Sequence, residues 1–403
     1  MASSPASEVN IPTKSSPRRR LAAACIVVAG ACLVASILFF GMTEKSAANR
    51  DFIEYWAAGQ QLIHGANPYD GAAILRLERA VGFDGNEPKI APNPPVASFL
   101  VLPLGFVGAK AGVILWSIAL LASISVANWI LWILNGRPDN RLHLLGYLFA
   151  PVLACQMAGQ IGTFLLVGIV LFLLLHDSRP FLAGSALLPC ALKPHLFLPF
   201  AVVLLFWAVD RRVLRIFAGF AVTLLASCAL TLCFNAQVWP QYSEAMSQSG
   251  LLKIYVPTLS ETFRFLVWRD AVWLQFLPAA CGGVWAIWYF WTRRSRWNWN
   301  DQGLMLLLVS ALCAPYSWLS DEAILLPAVL AGLYRALNSG RSVLPLALFG
   351  GAALIEVLSV VKMTSPFYLW TVPAWFAWYL YAVSTKNSTT QVKHRDRTIP
   401  LIQ

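Results

Sequence analysis

Asp51, Glu54 and Tyr55 fall within one short stretch, Asp51-Phe-Ile-Glu-Tyr-Trp-Ala-Ala-Gly59. On a helix over 51–62, Asp51, Glu54, Tyr55, Ala58 and Leu62 share one face, acidic and aromatic at one end and small at the other. A carboxylate placed there can act as a general base toward a hydroxyl. The same Asp51 can instead cap free N–H groups at a helix start, and spacing leaves both roles open. Lys193, followed by Pro194 and His195, separates two apolar runs. A cation at membrane depth is costly and marks a functional site by default, here one that neutralises a phosphate. The other reading is a lysine that extends its ammonium to the interface. His195 can bind substrate or sit hydrogen-bonded in a core. Gln160, after Gly159, can bond a substrate hydroxyl or bridge two helices. Arg264 can grip a phosphate in two-point fashion, or lie on a surface amphipathic helix. Asp321 and Glu322 follow Pro315-Tyr-Ser-Trp318. They can orient a substrate, pair with Lys193 or Arg264, or complement a helix N-terminus.

These polar residues stand out because the rest of the chain is apolar. Of 403 residues 58% are hydrophobic and 12% charged, with a mean hydropathy of +0.63. A soluble domain carries about 25% charge, so lipid is the solvent for most of this surface. The chain contains 17 tryptophans, a residue that collects at membrane interfaces. The eight cysteines lie in apolar runs without metal-type spacing and read as small hydrophobes, predicting neither disulfides nor zinc. No P-loop, dinucleotide fingerprint, HExxH or Gly-x-Ser-x-Gly is present. No metal cluster and no nucleic-acid partner are expected.

Apolar runs fall at 21–41, 109–134, 142–157, 161–175, 181–192, 194–208, 213–234, 271–291, 303–318, 322–337, 343–361 and 366–383. They predict an all-α integral membrane protein of about 12 transmembrane helices. Residues 1–20 form a basic cytoplasmic tail, 21–383 the transmembrane domain and 384–403 a cytoplasmic tail. The run 21–41 is long enough to span and reads as the first membrane helix rather than a cleaved signal. Segment 96–107, which contains Pro103, reads as re-entrant or interfacial. With the N-terminus inside, alternation puts 19 of the 30 Lys/Arg but 6 of the 19 acidic residues on the cytoplasmic side. That is the bias of the positive-inside rule. The long loops, about 42–95 and 235–270, then face outward. So do three polar breaks: Gly159-Gln160, Lys193-Pro194-His195 and Ser317 to Glu322. Broken backbone at membrane depth needs protein or water to satisfy it, so a shared outward-facing cavity is the simplest expectation.

The run Asp51-Phe-x-x-Tyr-Trp-x-Ala-Gly, then Gly65-x-Asn-Pro-Tyr-Asp70, resembles the opening motif of glycosyltransferase family 87. Pro94-Pro95 with Pro103-Leu104, Gly159-Gln160, Ala191-Leu-Lys-Pro194 and Pro315-x-Ser-Trp318 follow that family's pattern in order, over roughly residues 20–335. The resemblance implies a GT-C-type polytopic helical bundle with a long first outer loop of short helices. It implies a hexosyltransferase that uses a polyprenyl-phosphate sugar, with mannose the expected sugar, and Asp51 as catalytic base. Glu54, Tyr55, Gln160, Lys193, His195, Arg264 and Asp321 are the expected substrate-binding residues. The acceptor is a glycan or glycolipid, membrane lipids surround the chain, and no cofactor is needed beyond the donor. The expected location is the inner membrane, with the active site on the outer, periplasmic face. The family usually has a histidine after its Pro-x-Ser-Trp element; Ser320-Asp321-Glu322 stands there instead. Two other classes fit the apolar pattern: a transporter or flippase of lipid-linked sugars, and a scaffold without activity.

Overall fold

The computed structural model describes residues 41–248, 255–338, 343–361, 363 and 367–384. The N-terminal tail, the first expected span up to residue 40 and the tail beyond Ser384 lie outside the described residues. Among the described residues every regular element is helical. Three helices are long and apolar enough to cross a membrane: Ala109–Leu134, Arg215–Phe234 and Leu344–Val361.

The other apolar runs and the helices do not correspond one for one. The run 142–157 is a 3-10 turn, Leu142–Tyr147, followed by the helix Ala150–Ala158. The run 181–192 is the helix Pro180–Ala186 and a 3-10 turn, Leu188–Leu192. Another 3-10 turn, Pro194–Leu196, leads into Leu198–Asp210. The run 303–318 ends its helix early, at Gln302–Leu312, and 322–337 is divided between a 3-10 turn, Leu319–Leu325, and Leu326–Leu337. Prolines account for several of these divisions, since Pro189, Pro194 and Pro199 bring no backbone donor and fit only a first turn. At about 1.5 Å per residue such helices reach only part-way across a ~30 Å hydrocarbon core. Their polar ends therefore fall inside the protein.

The first loop is not peripheral. Its helix Phe52–Ile63 is buried around most of its circumference, with Phe52, Ile53, Tyr55, Trp56, Ala57 and Leu62 all in the core. It crosses the short helix Ser98–Gly105, part of the segment read as re-entrant, at two glycines. A Cβ on Gly59 would strike the Val101 carbonyl, and one on Gly105 would strike the Gly59 carbonyl. The two backbones touch directly, and no other residue fits either position. On another side Phe52 and Trp56 press on Gly112 of Ala109–Leu134, which in turn packs along Gly162–Leu175. Cys155 and Cys190 are buried as small apolar side chains should be, whereas Cys233 and Cys281 are exposed.

Candidate active site

Asp51 immediately precedes the helix Phe52–Ile63 but its side chain caps nothing. Oδ2 accepts from Gln160 Nε2 at 3.0 Å, and Oδ1 lies 3.4 Å from Lys89 Nζ. The capping role is thus unused, and the carboxylate is committed to other elements. Gln160 also accepts, through Oε1, from the Tyr55 hydroxyl at 3.0 Å. Its amide orientation follows from its partners: a carboxylate only accepts, so the NH2 faces Asp51 and the oxygen faces the phenol.

Gly159 is what lets Gln160 reach this far. It ends the helix Ala150–Ala158 in the left-handed region, φ +80°. A Cβ there would lie 2.7 Å from Phe52 Cβ and 3.2 Å from its backbone. Only glycine combines that φ with that approach. Its carbonyl accepts from Trp116 Nε1 at 2.7 Å, and the Trp116 ring stacks on Tyr55 with centroids 5.2 Å apart. Glycine, indole and phenol together fix where the amide sits.

Glu54 is buried beside Asp51. Burial pushes its carboxyl up to about 7, the charge of Asp51 adds to the rise, and the Tyr55 hydroxyl, Lys193 and Lys89 offset part of it. Near neutral pH Glu54 is therefore poised between its acid and its anion, and can both donate to and accept from a hydroxyl.

Lys193 occupies the joint between the 3-10 turns Leu188–Leu192 and Pro194–Leu196. It does not reach to the interface. Its ammonium is buried and lies 2.7 Å from Asp321 Oδ1. Asp321 Oδ2 accepts from Trp318 N at 3.0 Å. Glu322 turns elsewhere and accepts from the Thr371 hydroxyl.

These groups surround a cavity of about 600 Å³. Asp51, Glu54, Tyr55, Gln160 and Lys193 all line it, and Trp318, Leu319 and Ser320 form another wall. All three polar breaks read from the sequence contribute to it. Asp321 stands behind Lys193 and is not a lining residue. His195 is outside as well, its ring against Tyr316 with centroids 3.8 Å apart. Arg264 is also away from it. Arg264 Nε donates to the Arg269 carbonyl at 2.7 Å and Nη1 to Gln275 Oε1 at 2.6 Å, and Gln275 Nε2 donates to the Pro315 carbonyl at 2.9 Å. That guanidinium ties the second long loop to the segment carrying Trp318.

Three residues escape sequence reading: Asn93 and Tyr368, which line the cavity, and Lys89, which pairs with Asp51. Lys89 reaches Asp51 because its backbone N–H is held by both oxygens of Glu78, at 3.1 and 3.2 Å. Burial pushes the Glu78 carboxyl up to about 7, with Lys89 partly offsetting it. Asn93 sits in Pro92-Asn-Pro-Pro95, whose prolines fix φ and bring no backbone donors. Its carbonyl accepts from Tyr69 OH at 3.0 Å and its side-chain amide donates to the Leu192 carbonyl at 3.3 Å, which holds the segment in place. Among the described residues no group of three or more His, Cys, Asp or Glu side chains is arranged to hold a metal.

A carboxylate, a titratable carboxyl and a phenol on one wall, with an ammonium on another, suit a polar substrate that brings both a hydroxyl and an anionic group. The model of glycosyltransferase family 87 matches residues 92–319, more than half of the chain. The chain belongs to that family. It is a glycosyltransferase, built from apolar helices. The matched stretch contains Gln160, Lys193, His195 and Arg264; the Asp51 motif precedes it, and Asp321 lies just beyond its end. No curated protein and no solved structure matches this glycosyltransferase.

Proposed function

We propose that this glycosyltransferase moves a hexose from a polyprenyl-phosphate donor to a hydroxyl of a glycan or glycolipid acceptor, with inversion at the anomeric carbon. Mannose is the sugar that the family resemblance favours. The observation that carries the reading is the position of Asp51: its carboxylate is free of capping and opens on a cavity that Lys193 also lines. The volume, about 600 Å³, is within the ~300–1,000 Å³ usual for small-molecule sites.

Asp51 takes the proton of the acceptor hydroxyl while that oxygen attacks the anomeric carbon. The bond from that carbon to the phosphate oxygen breaks, and polyprenyl phosphate leaves with the electron pair. Lys193 stabilises the charge that develops on the phosphate, so no separate acid is required. Gln160 and Lys89 hold Asp51 in place from two sides. Glu54 and Tyr55 bond the hydroxyls of the sugar or acceptor. His195, Arg264 and Asp321 support the site from outside it: Asp321 positions the ammonium, and Arg264 secures the loop. The chain lies in the inner membrane with its N-terminus in the cytoplasm and crosses about twelve times, several crossings being broken helices. The cavity opens to the outer face, the side opposite the arginines at 211, 212, 293, 294 and 296.

Transfer of radiolabelled sugar from polyprenyl-phosphate donors tests this reading, in membranes holding equal amounts of wild type and Asp51→Asn. Transfer by the wild type and its near-abolition in the variant is the expected result. Equal transfer by both removes Asp51 from the chemistry, and no transfer by the wild type from any such donor removes the donor class.

A further inference from the structure

We propose that the seam between the helices Leu277–Arg293, Gln302–Leu312 and Thr371–Ser384 is a lipid site. Its ligand is an anionic phospholipid, with one acyl chain in the seam and the phosphate on Arg293. A groove of about 670 Å³ runs there and shares no lining residue with the active-site cavity.

One wall is a stripe at four-residue spacing on a single helix: Cys281, Trp285, Tyr289 and Arg293. The Trp285 and Tyr289 rings stack, with centroids 4.7 Å apart and planes 20° from parallel. The Arg293 guanidinium continues the stack, 4.3 Å from the Tyr289 centroid. Met305, Val309 and Phe376 face this stripe. The seam is thus apolar along its length and cationic at one end. From Pro278 to Arg293 it extends about 22 Å along the helix, enough for an extended acyl chain within one side of a ~30 Å core. Its outer lip is open and apolar: Val284 is 70% and Trp288 59% exposed. A lipid chain can therefore enter sideways from the bilayer.

Charge selects the occupant. Arg294 and Arg296 follow Arg293, and Arg211 donates to the Arg294 carbonyl at 2.8 Å, which adds the Arg211-Arg212 pair to this end. The acids nearby are already engaged: Asp210 lies 3.7 Å from Arg211, and Asp301 is held by Arg335 at 2.5 Å. Among the described residues no carboxylate pairs with Arg293, whose Nη1 donates to the neutral Thr292 hydroxyl. An anionic headgroup supplies the missing charge. A zwitterionic one brings its own ammonium into the arginine cluster and gains less. Basic pockets between membrane helices recognise headgroups in this way.

The test uses the full-length protein, delipidated in mild detergent and offered phosphatidylglycerol or phosphatidylcholine. Retained lipid is read by native mass spectrometry, and occupancy by the labelling rate of Cys281 with a maleimide. Wild type should retain phosphatidylglycerol about five-fold better than phosphatidylcholine, the effect of roughly one arginine at a headgroup. Phosphatidylglycerol should also slow Cys281 labelling while leaving the exposed Cys233 unaffected. Arg293→Gln should lose the preference, and Val309→Trp, which fills the groove, should lose both lipids. Thermal unfolding of each variant establishes that it is folded. Equal retention of the two lipids by wild type overturns the proposal. So does ready disulfide formation between Cys281 and Cys25 or Cys32, because the chain's own N-terminal segment would then occupy the groove.

Discussion

Separating Lys193 from Asp321 tests how the site holds its cation. The two charges meet at 2.7 Å, with both side chains almost wholly removed from solvent. Removing one member of such a pair leaves the other charge buried and uncompensated, at a cost of about 3–5 kcal/mol. Lys193→Met and Asp321→Asn should each lower stability by that order. The double variant should recover most of it, because exchanging a buried pair for neutral groups is often close to neutral. Asparagine retains an oxygen for the Trp318 N–H, so that bond is not lost with the charge. Activity should not follow stability: the double variant is folded yet has no cation for the proposed donor phosphate, so transfer stays near background. The assay is thermal unfolding in detergent across the four proteins of the cycle, with sugar transfer measured on the same preparations. A Lys193→Met protein as stable as wild type would refute the argument. So would a double variant as unstable as the worse single, since the loss would then come from packing and not from charge.

Two other outcomes can be measured with the same assays. Gly159→Ala places a Cβ against Phe52 and puts alanine at φ +80°. It should cost about 1–2 kcal/mol for the left-handed backbone and a further ~1–3 for overpacking, with transfer falling further than in Tyr55→Phe, which removes one bond to Gln160. Transfer in Gly159→Ala equal to wild type would break the link drawn between that glycine and Asp51. Glu54 titrates near 7 in the fold against 4.5 ordinarily, so the folded chain binds this proton more tightly than the unfolded chain. The stability associated with it is full below about 4.5 and is lost as pH rises through about 7. Wild type should therefore lose stability between pH 5 and 7 more steeply than Glu54→Gln, and parallel curves would show that Glu54 titrates normally.

Much of the site was legible because polar residues are conspicuous in an apolar chain. Asp51, Gln160 and Lys193 each interrupt hydrophobic sequence, and each reaches the cavity. Helix continuity was harder to read. Hydropathy registers 181–192 and 194–208 as two runs, but not that prolines divide them into short helices and 3-10 turns ending at Lys193. Lys89 and Tyr368 carry no local signal. Lys89 is one of two lysines in the first loop, directed by Glu78 eleven residues away, and Tyr368 arrives by tertiary packing. Arg264 went the other way. Its residue type suits phosphate, but the amphipathic helix Leu259–Val267 turns it inward to Gln275 and the Arg269 carbonyl. Whether an arginine meets ligand or backbone depends on which face of its helix is covered, and that is decided by segments distant in sequence.

The direct backbone contact at Gly59 and Gly105 has a consequence for how this enzyme can change. The helix that carries Asp51, Glu54 and Tyr55 is locked to its neighbour without intervening side chains, so it cannot shift to suit a new substrate. If the proposed acceptor binds in this cavity, an altered acceptor range comes from the facing surface, where Trp318, Met363 and Tyr368 present side chains of adjustable size. Libraries confined to those three positions leave Asp51, Glu54 and Tyr55 in register, and offer the shortest route to a transferase with a different acceptor.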